Sequence, residues 1–411
     1  MTKFSFGLED KHTLTDEQID ADDPSLDHLE DYRWDIFITH DPRNFAARCP
    51  TFELFNKIDP ANFPDKLQYG VKVLVDNHYE ISEPSADQLS ATSVFQPADA
   101  PDSLDNLSIW SGCGITHQDD LLLYYTGVSA QELACTEAPE EPKSLGMIPQ
   151  RMFGAISNDR GRSWQRLPNN PLVDLANQSN NWYERDSRDN VTNGQVCVNS
   201  ACRDPFVFQA TEQYNIFDDD SQTIAAGRFY MLFTARVNAD QAPMHQQDIH
   251  YRGCIGVAYS DSPLGPFHLQ EPILNLGLFG DMELPHLITK GGEIYLIFCV
   301  QDKCIDGQTS TDSKFAAQIG IDANQRHSYG FRYNPTTQNW QPMNDRGGLI
   351  ESPAGLYGIR IFNDPKQAGQ FGARGFVLPN QAPQESPLQE FTLSPLLKVD
   401  WPEDARVKIT L

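Results

Sequence analysis

The strongest constraint on this chain's fold is a pattern that occurs three times. A β-branched or aromatic run, a polar turn and a second such run make up IWSGCGITHQDDLLLYYTG from Ile109, RDPFVF with GRFYMLFTARV from Gly227, and ELPHLITKGGEIYLIFCV from Glu283. Each reads as an antiparallel hairpin with a polar loop. A third segment follows each pair: GAISNDRGRSW from Gly154, GVAYSDSPLGPF from Gly256 and GFRYNPTTQNW from Gly330. These align as a glycine, alternating apolar and polar positions, a Ser/Asp/Asn/Pro turn and an aromatic. A unit whose hydrophobic faces need neighbours, repeated along one chain, is the signature of a propeller blade.

The expected fold is therefore all-β: a five-bladed β-propeller with four-stranded antiparallel blades around a central axial pocket. Pro (28) and Gly (27) are scattered along the chain and long 3.6-residue periodicities are scarce, which argues against helical and doubly wound alternatives. The matching segments lie 102 and 74 residues apart, more than the ~40 to 50 of compact propeller repeats, so long loops must be inserted. Candidates are Ala130 to Ser144, Ala176 to Asn199, the surroundings of Asp218 to Asp220, Asn238 to His250, and Gln301 to Arg326. Residues 1–30 read as an acidic arm with a short helix from Thr15, and residues 31–411 as one catalytic propeller whose final VKITL forms a closing strand.

Composition narrows the function. A net charge of −26 with no basic cluster disfavours nucleic acid and anionic lipid as partners. No stretch has the ~18 to 20 apolar residues of a membrane span, and the N-terminus lacks the apolar core of a secretory signal, so cytoplasmic residence or export by a signal-less route is expected. Eight cysteines make no disulfide scaffold, and the spacing of Cys197/Cys202 and Cys299/Cys304 fits no zinc knuckle, so buried or idle thiols are expected. There is no G-x-S-x-G elbow, Walker loop or H-E-x-x-H; GCG at Gly112 is a turn, and His245 and His250 fall in a loop. Asp218 to Asp220 reads as a solvated turn. Chemistry without a metal or cofactor is expected.

Three acids interrupt β-prone runs: Asp35 in RWDIF, Asp204 in CRDPF and Glu283 in DMELPH. Burying an unpaired charge there would cost several kcal/mol. Taken singly, each could cap a strand while paired with Arg33 or Arg203. Three acids at the inner ends of different blades would instead converge on the axis, where propellers hold ligands. Glycoside hydrolysis requires such a set: an ionised carboxylate, a carboxyl kept protonated for the leaving group, and a further carboxylate near the developing positive charge. Trp34 and Trp110 offer apolar faces to a sugar ring, and Arg203 a fork of donors.

Together, RWD, the WSG of IWSGCG, RDPFVF with its following G-x-x-Y-x-L-F strand, and E-x-P-H with G-x-x-Y-L-x-F resemble, in order, the motifs of glycoside hydrolase family 68. These are the levansucrases and related β-fructofuranosidases, in a clan shared with the family 32 invertases. The resemblance spans roughly Asp31 to Trp340. It implies a five-bladed propeller and retaining attack on sucrose, with Asp35 as nucleophile, Asp204 as transition-state stabiliser and Glu283 as general acid/base. Trp34, Trp110, Ser111, Arg203 and His286 would form the substrate-binding shell. The partner would be a small sugar, with water or a second sugar as acceptor, and the protein a monomer.

Two positions depart from that pattern. Leu284 stands where the family commonly has an arginine that contributes to sugar recognition beside the cleaved bond. The segment after Asp35 lacks the usual W-P and holds a second candidate nucleophile, Asp41 in His-Asp-Pro; Asp35 is preferred because Trp34 precedes it at an inner strand end. Two rival readings stay open: an inverting arabinan- or xylan-type propeller glycosidase, and a propeller that binds carbohydrate or protein without catalysis.

Overall fold

The computed structural model describes residues 33–37, 39–48, 53–58, 77–82, 92–129, 150–159, 161–178, 182–184, 191–192, 195–196, 201–211, 227–241, 251–300, 327–353, 356–363, 370–377, 394 and 396–410. The acidic arm, the short helix from Thr15, Asp218 to Asp220, Cys197, Cys304 and most of the expected loop insertions lie outside these residues. Among the described residues the fold is an all-β propeller. Four sheets are described down to their side chains, and each runs from an inner strand outward in antiparallel steps. The second sheet starts at Ser108–His117, the third at Cys202–Gln209, the fourth at Glu283–Lys290 and the last at Leu356–Asn363. Ahead of them, Arg33–Phe37, Glu53–Ile58, Asn77–Ser82 and Thr92–Phe95 form a first four-stranded sheet.

The expectation of uniform four-stranded blades needs correction. The second sheet has six strands, because the hairpin Thr39–Asp41 and Asn44–Arg48 adds to its inner edge, and the fourth has five, because Leu349–Ile350 pairs with His327–Asn334. The first addition matters for function. Thr39–Asp41 pairs in parallel with Ser108–His117, Thr39 opposite Gly114. Asn44–Arg48 lies against the inner strands of the fourth and last sheets. His40 is fully buried, stacked on Phe206 at 4.7 Å between ring centroids, with Nε2 2.8 Å from the Val207 carbonyl. The hairpin therefore fills the axis at the ends of the inner strands away from their starts.

The repeated glycines sit where the sequence pattern placed them, on the third strands Arg151–Ser157, Gly253–Ser260 and His327–Asn334. Their cause is close packing. A Cβ at Gly256 would lie 2.5 Å from Phe233 Cε2, and one at Gly330 2.3 Å from Met343 Sδ. The rings that need this room build the core shared by the second, third and fourth sheets, including Tyr124, Tyr183, Phe208, Phe233, Phe298 and Tyr329. A second core joins the fourth and last sheets around Ile297, Ile361 and Trp401. Polar latches tie sheet to sheet: Tyr124 Oη donates to the Pro263 carbonyl at 2.6 Å, and Lys290 Nζ to the Trp401 carbonyl at 2.6 Å. The closing strand Lys408–Thr410 is the outermost strand of the last sheet, paired with Leu397–Asp400.

Candidate active site

One irregularity recurs at the same level in every inner strand. Pairing with the next strand slips between Trp34 and Ile36, Trp110 and Gly112, Arg203 and Phe206, Glu283 and His286, and Tyr357 and Arg360. Such bulges re-aim side chains near sites. In the last three strands the slipped residue has left-handed backbone: φ is +58° at Asp204, +55° at Leu284 and +62° at Gly358. Glycine takes that conformation freely, but aspartate and still more leucine adopt it at a cost of about 1–2 kcal/mol. The following proline in Asp204-Pro205 and Leu284-Pro285 cannot donate to the ladder, so the slip costs no hydrogen bond there. The residues just before these bulges are Arg203, Glu283 and Tyr357, and they meet.

All three are buried. Arg203 Nη2 lies 2.6 Å from Glu283 Oε1 and 3.2 Å from Asp281 Oδ2, and its Nε is 3.6 Å from Asp204 Oδ2. Tyr357 Oη donates to Glu283 Oε2. Arg236 Nη2 donates to the same Asp281 Oδ2 at 2.9 Å, and Gln150 Oε1 accepts from Arg203 Nη1 at 3.4 Å and from the Cys202 amide at 3.2 Å. Basic and acidic side chains thus alternate along Arg236, Asp281, Arg203 and Glu283. Burial draws the Arg203 pKa down, but Asp281, Glu283 and Asp204 outweigh it, so the guanidinium stays charged. Asp281 is pushed up by burial and pulled further down by Arg236 and Arg203, so it ends below the usual carboxylate range. Burial pushes Glu283 up to about 7; Arg203 and Tyr357 oppose the rise, while Asp281 and Asp204 add to it.

Asp204 is held differently. Its Oδ2 accepts the Thr234 hydroxyl at 2.8 Å and the Leu284 amide at 3.2 Å, and its own amide donates to Thr126 Oγ1 at 3.0 Å. A side chain fixed by donors on two neighbouring strands is already oriented toward charge that develops beside it. Ser111 is buried one strand away, and its carbonyl accepts from Thr126 Oγ1 at 3.2 Å. Trp110 is buried beside it with its indole N–H on Ser108 Oγ at 3.0 Å. Trp34 and Asp35 lie on Arg33–Phe37 at the same bulge level, and their side chains are outside the described residues.

Two of the expected substrate-binding side chains are engaged by the protein itself. Arg203 commits its fork to Glu283, Asp281 and Gln150, so it serves as a carboxylate clamp rather than a free donor set for sugar hydroxyls. His286, expected in the substrate-binding shell, is engaged on both ring nitrogens: Nε2 accepts the Ile361 amide at 3.1 Å, which leaves Nδ1 protonated and facing the Leu284 carbonyl at 3.2 Å. Burial and Arg360 push its pKa down to about 3, so it is a neutral brace between the fourth and last sheets. The Leu284 side chain is buried in the wall, with Cδ1 3.2 Å from where a Gly358 Cβ would stand. Arg360 does not replace the missing guanidinium, because its Nη1 donates to the Leu284 and Pro285 carbonyls at 2.9 and 3.2 Å.

Asp41 is separated from this cluster. It is exposed and accepts the Arg43 amide at 2.9 Å, while the adjacent Pro42 carbonyl accepts from Gln209, five residues down the strand from Asp204. At about 3.3 Å per residue, that is about 16 Å away. Of the residues the sequence did not single out, Asp281 carried a signal in its i, i+2 spacing to Glu283, which puts both on one side of an extended segment. Tyr357, Thr234, Arg236 and Gln150 carried none. Among the described residues there is no group of three metal-ligating side chains and no helix long and apolar enough to cross a membrane. Cys113, Cys202, Cys254 and Cys299 are buried and form no disulfide.

Fold and site together define a class: a propeller with clustered carboxyls, one raised toward neutrality by burial and one fixed by hydrogen bonds, at the starts of its inner strands. Solved structures of the same fold carry sugar-active names. The chain superposes on the inulosucrase from Halalkalicoccus jeotgali bound to kestose with TM-score 0.59 and 18% identity, covering 92% of this chain and 87% of that one. A β-fructofuranosidase variant of Microbacterium saccharophilum K-1 gives 0.61 and 14%, covering 93% and 74%, and a variant of the B. megaterium levansucrase 0.57 and 12%, covering 92% and 84%. No family model matches the sequence, and no curated protein matches it.

Proposed function

We propose that this protein is a retaining β-fructosidase or fructosyltransferase that cleaves sucrose or related β-fructofuranosides on a five-bladed propeller. The observation that carries this reading is the Arg203–Glu283–Tyr357 cluster beside the fixed Asp204 carboxylate, on a fold shared with inulosucrase, levansucrase and β-fructofuranosidase. Five sheets of four or more strands, with each inner strand against the next and the last against Arg33–Phe37, support the blade count. The shared bulge register supports placing Asp35 level with Asp204 and Ser111.

In this mechanism Glu283, protonated near neutrality, gives its proton to the glycosidic oxygen as that bond breaks. Asp35 attacks the anomeric carbon and forms a covalent fructosyl ester. The positive charge that builds up on the ring meets the Asp204 carboxylate, whose donors are already in place, so no reorganisation is needed. Glu283, now ionised, takes a proton from water or an acceptor hydroxyl, which attacks the anomeric carbon and releases Asp35. Incubation of the purified protein with sucrose tests the reading: equal glucose and fructose mean hydrolysis, excess glucose means fructosyl transfer, and neither sugar overturns it.

A further inference from the structure

Resting on that reading, a second question is what recognises the sugar on the leaving-group side of the cleaved bond. Position 284 cannot do so, since its side chain is apolar and buried in the wall, and Arg360 spends hydrogen bonds on the backbone of the same bulge. The third sheet supplies an alternative. A short antiparallel pair extends its second strand beyond Arg236: the Glu184 amide donates to the Arg236 carbonyl and the Asn238 amide to the Trp182 carbonyl, both at 2.8 Å, with Tyr183 opposite Val237. Tyr183 and Val237 are buried in the core, so by strand alternation Trp182, Glu184, Arg236 and Asn238 lie on the other face. Arg236 is the residue paired to Asp281, and three successive ion pairs link it to Glu283.

Trp182 is one of three large hydrophobic side chains exposed among the described residues, at 37%. Its mount is rigid. Tyr183 is fully buried with its hydroxyl bonded to the Gln270 carbonyl, and Glu184 is clamped by Arg252 Nη1 at 2.5 Å and the Ala239 amide at 3.0 Å. An indole on the same face of this pair as Arg236, with its backbone held on both strands, offers apolar contact at low entropic cost. We propose that Trp182 is a specificity-determining platform for the leaving-group or acceptor sugar, taking over recognition that position 284 cannot provide.

Equilibrium binding to the full chain carrying Glu283→Gln tests this, with fructose, sucrose and kestose as probes. Adding Trp182→Ala is expected to weaken sucrose and kestose about 2- to 12-fold, the range of one aromatic contact, and to leave fructose unchanged. Trp182→Phe is expected to restore most of the loss. Equal affinity for all three sugars with and without Trp182, or an equal loss for fructose, overturns the platform while leaving the fructosyl reading intact. No binding of any sugar, together with no cleavage by the wild type, overturns both.

Discussion

At the scale of single residues, burial and charge assign different tasks to chemically similar groups. Glu283 and Asp281 are two residues apart, yet Arg236 and Arg203 hold one ionised while burial keeps the other protonated up to about pH 7. If Glu283 is the acid, kcat/KM should fall as pH rises through about 7, and Glu283→Gln should lose about 10³-fold in rate and abolish that limb of the profile. A pH–rate series on both proteins checks this. Tyr357→Phe removes a hydrogen bond to Glu283 that lowers its pKa, so the same limb should shift to higher pH. Asp41→Asn should leave the rate of sucrose cleavage within about twofold, since Asp41 lies about 16 Å along the strand from the cluster.

At the scale of elements, the informative units are the bulge and the third-strand glycine. The bulge turns an ordinary inner strand into a site strand, pushing Arg203, Glu283 and Tyr357 toward one another. Sequence betrays it through Asp204-Pro205 and Leu284-Pro285, whose prolines are awkward inside a ladder. In the last sheet the bulge falls on Gly358-Ile359, with no proline, and Tyr357 went unnoticed. The glycine is a packing requirement visible in the repeat. Gly256→Ala should cost about 1–3 kcal/mol in denaturant unfolding, because its methyl would overlap the Phe233 ring. Phe233→Leu in the same chain should recover part of that loss.

At the scale of the molecule, charge and protonation set the response to solution conditions. A net charge of −26 opposes compaction, so added KCl should raise Tm by screening it. Glu283 adds a pH term of known sign. Its pKa rises from an ordinary 4.5 to about 7 on folding, so between those values the folded chain binds more protons than the unfolded one and stability falls as pH rises. Glu283→Gln lacks this term. Its Tm relative to wild type should therefore climb from pH 4.5 to about 7 and level off above, which differential scanning calorimetry at stepped pH would read.

The sequence by itself determined what local chemistry can dictate. Alternation and turn residues set the strands, the repeated glycines set their packing, and acids inside apolar runs marked Asp204 and Glu283. Only the tertiary structure decided which partners those groups have, because the partners sit on other sheets. Arg203 is spent on Glu283 across 80 residues, Tyr357 reaches Glu283 across 74, and His286 is locked by Ile361 across 75. No local pattern encodes these distances. The same is true of Asp35 and Asp41: six residues apart in the chain, they are told apart by the parallel pairing of Thr39–Asp41 with Ser108–His117, which carries Asp41 to the far end of the axis.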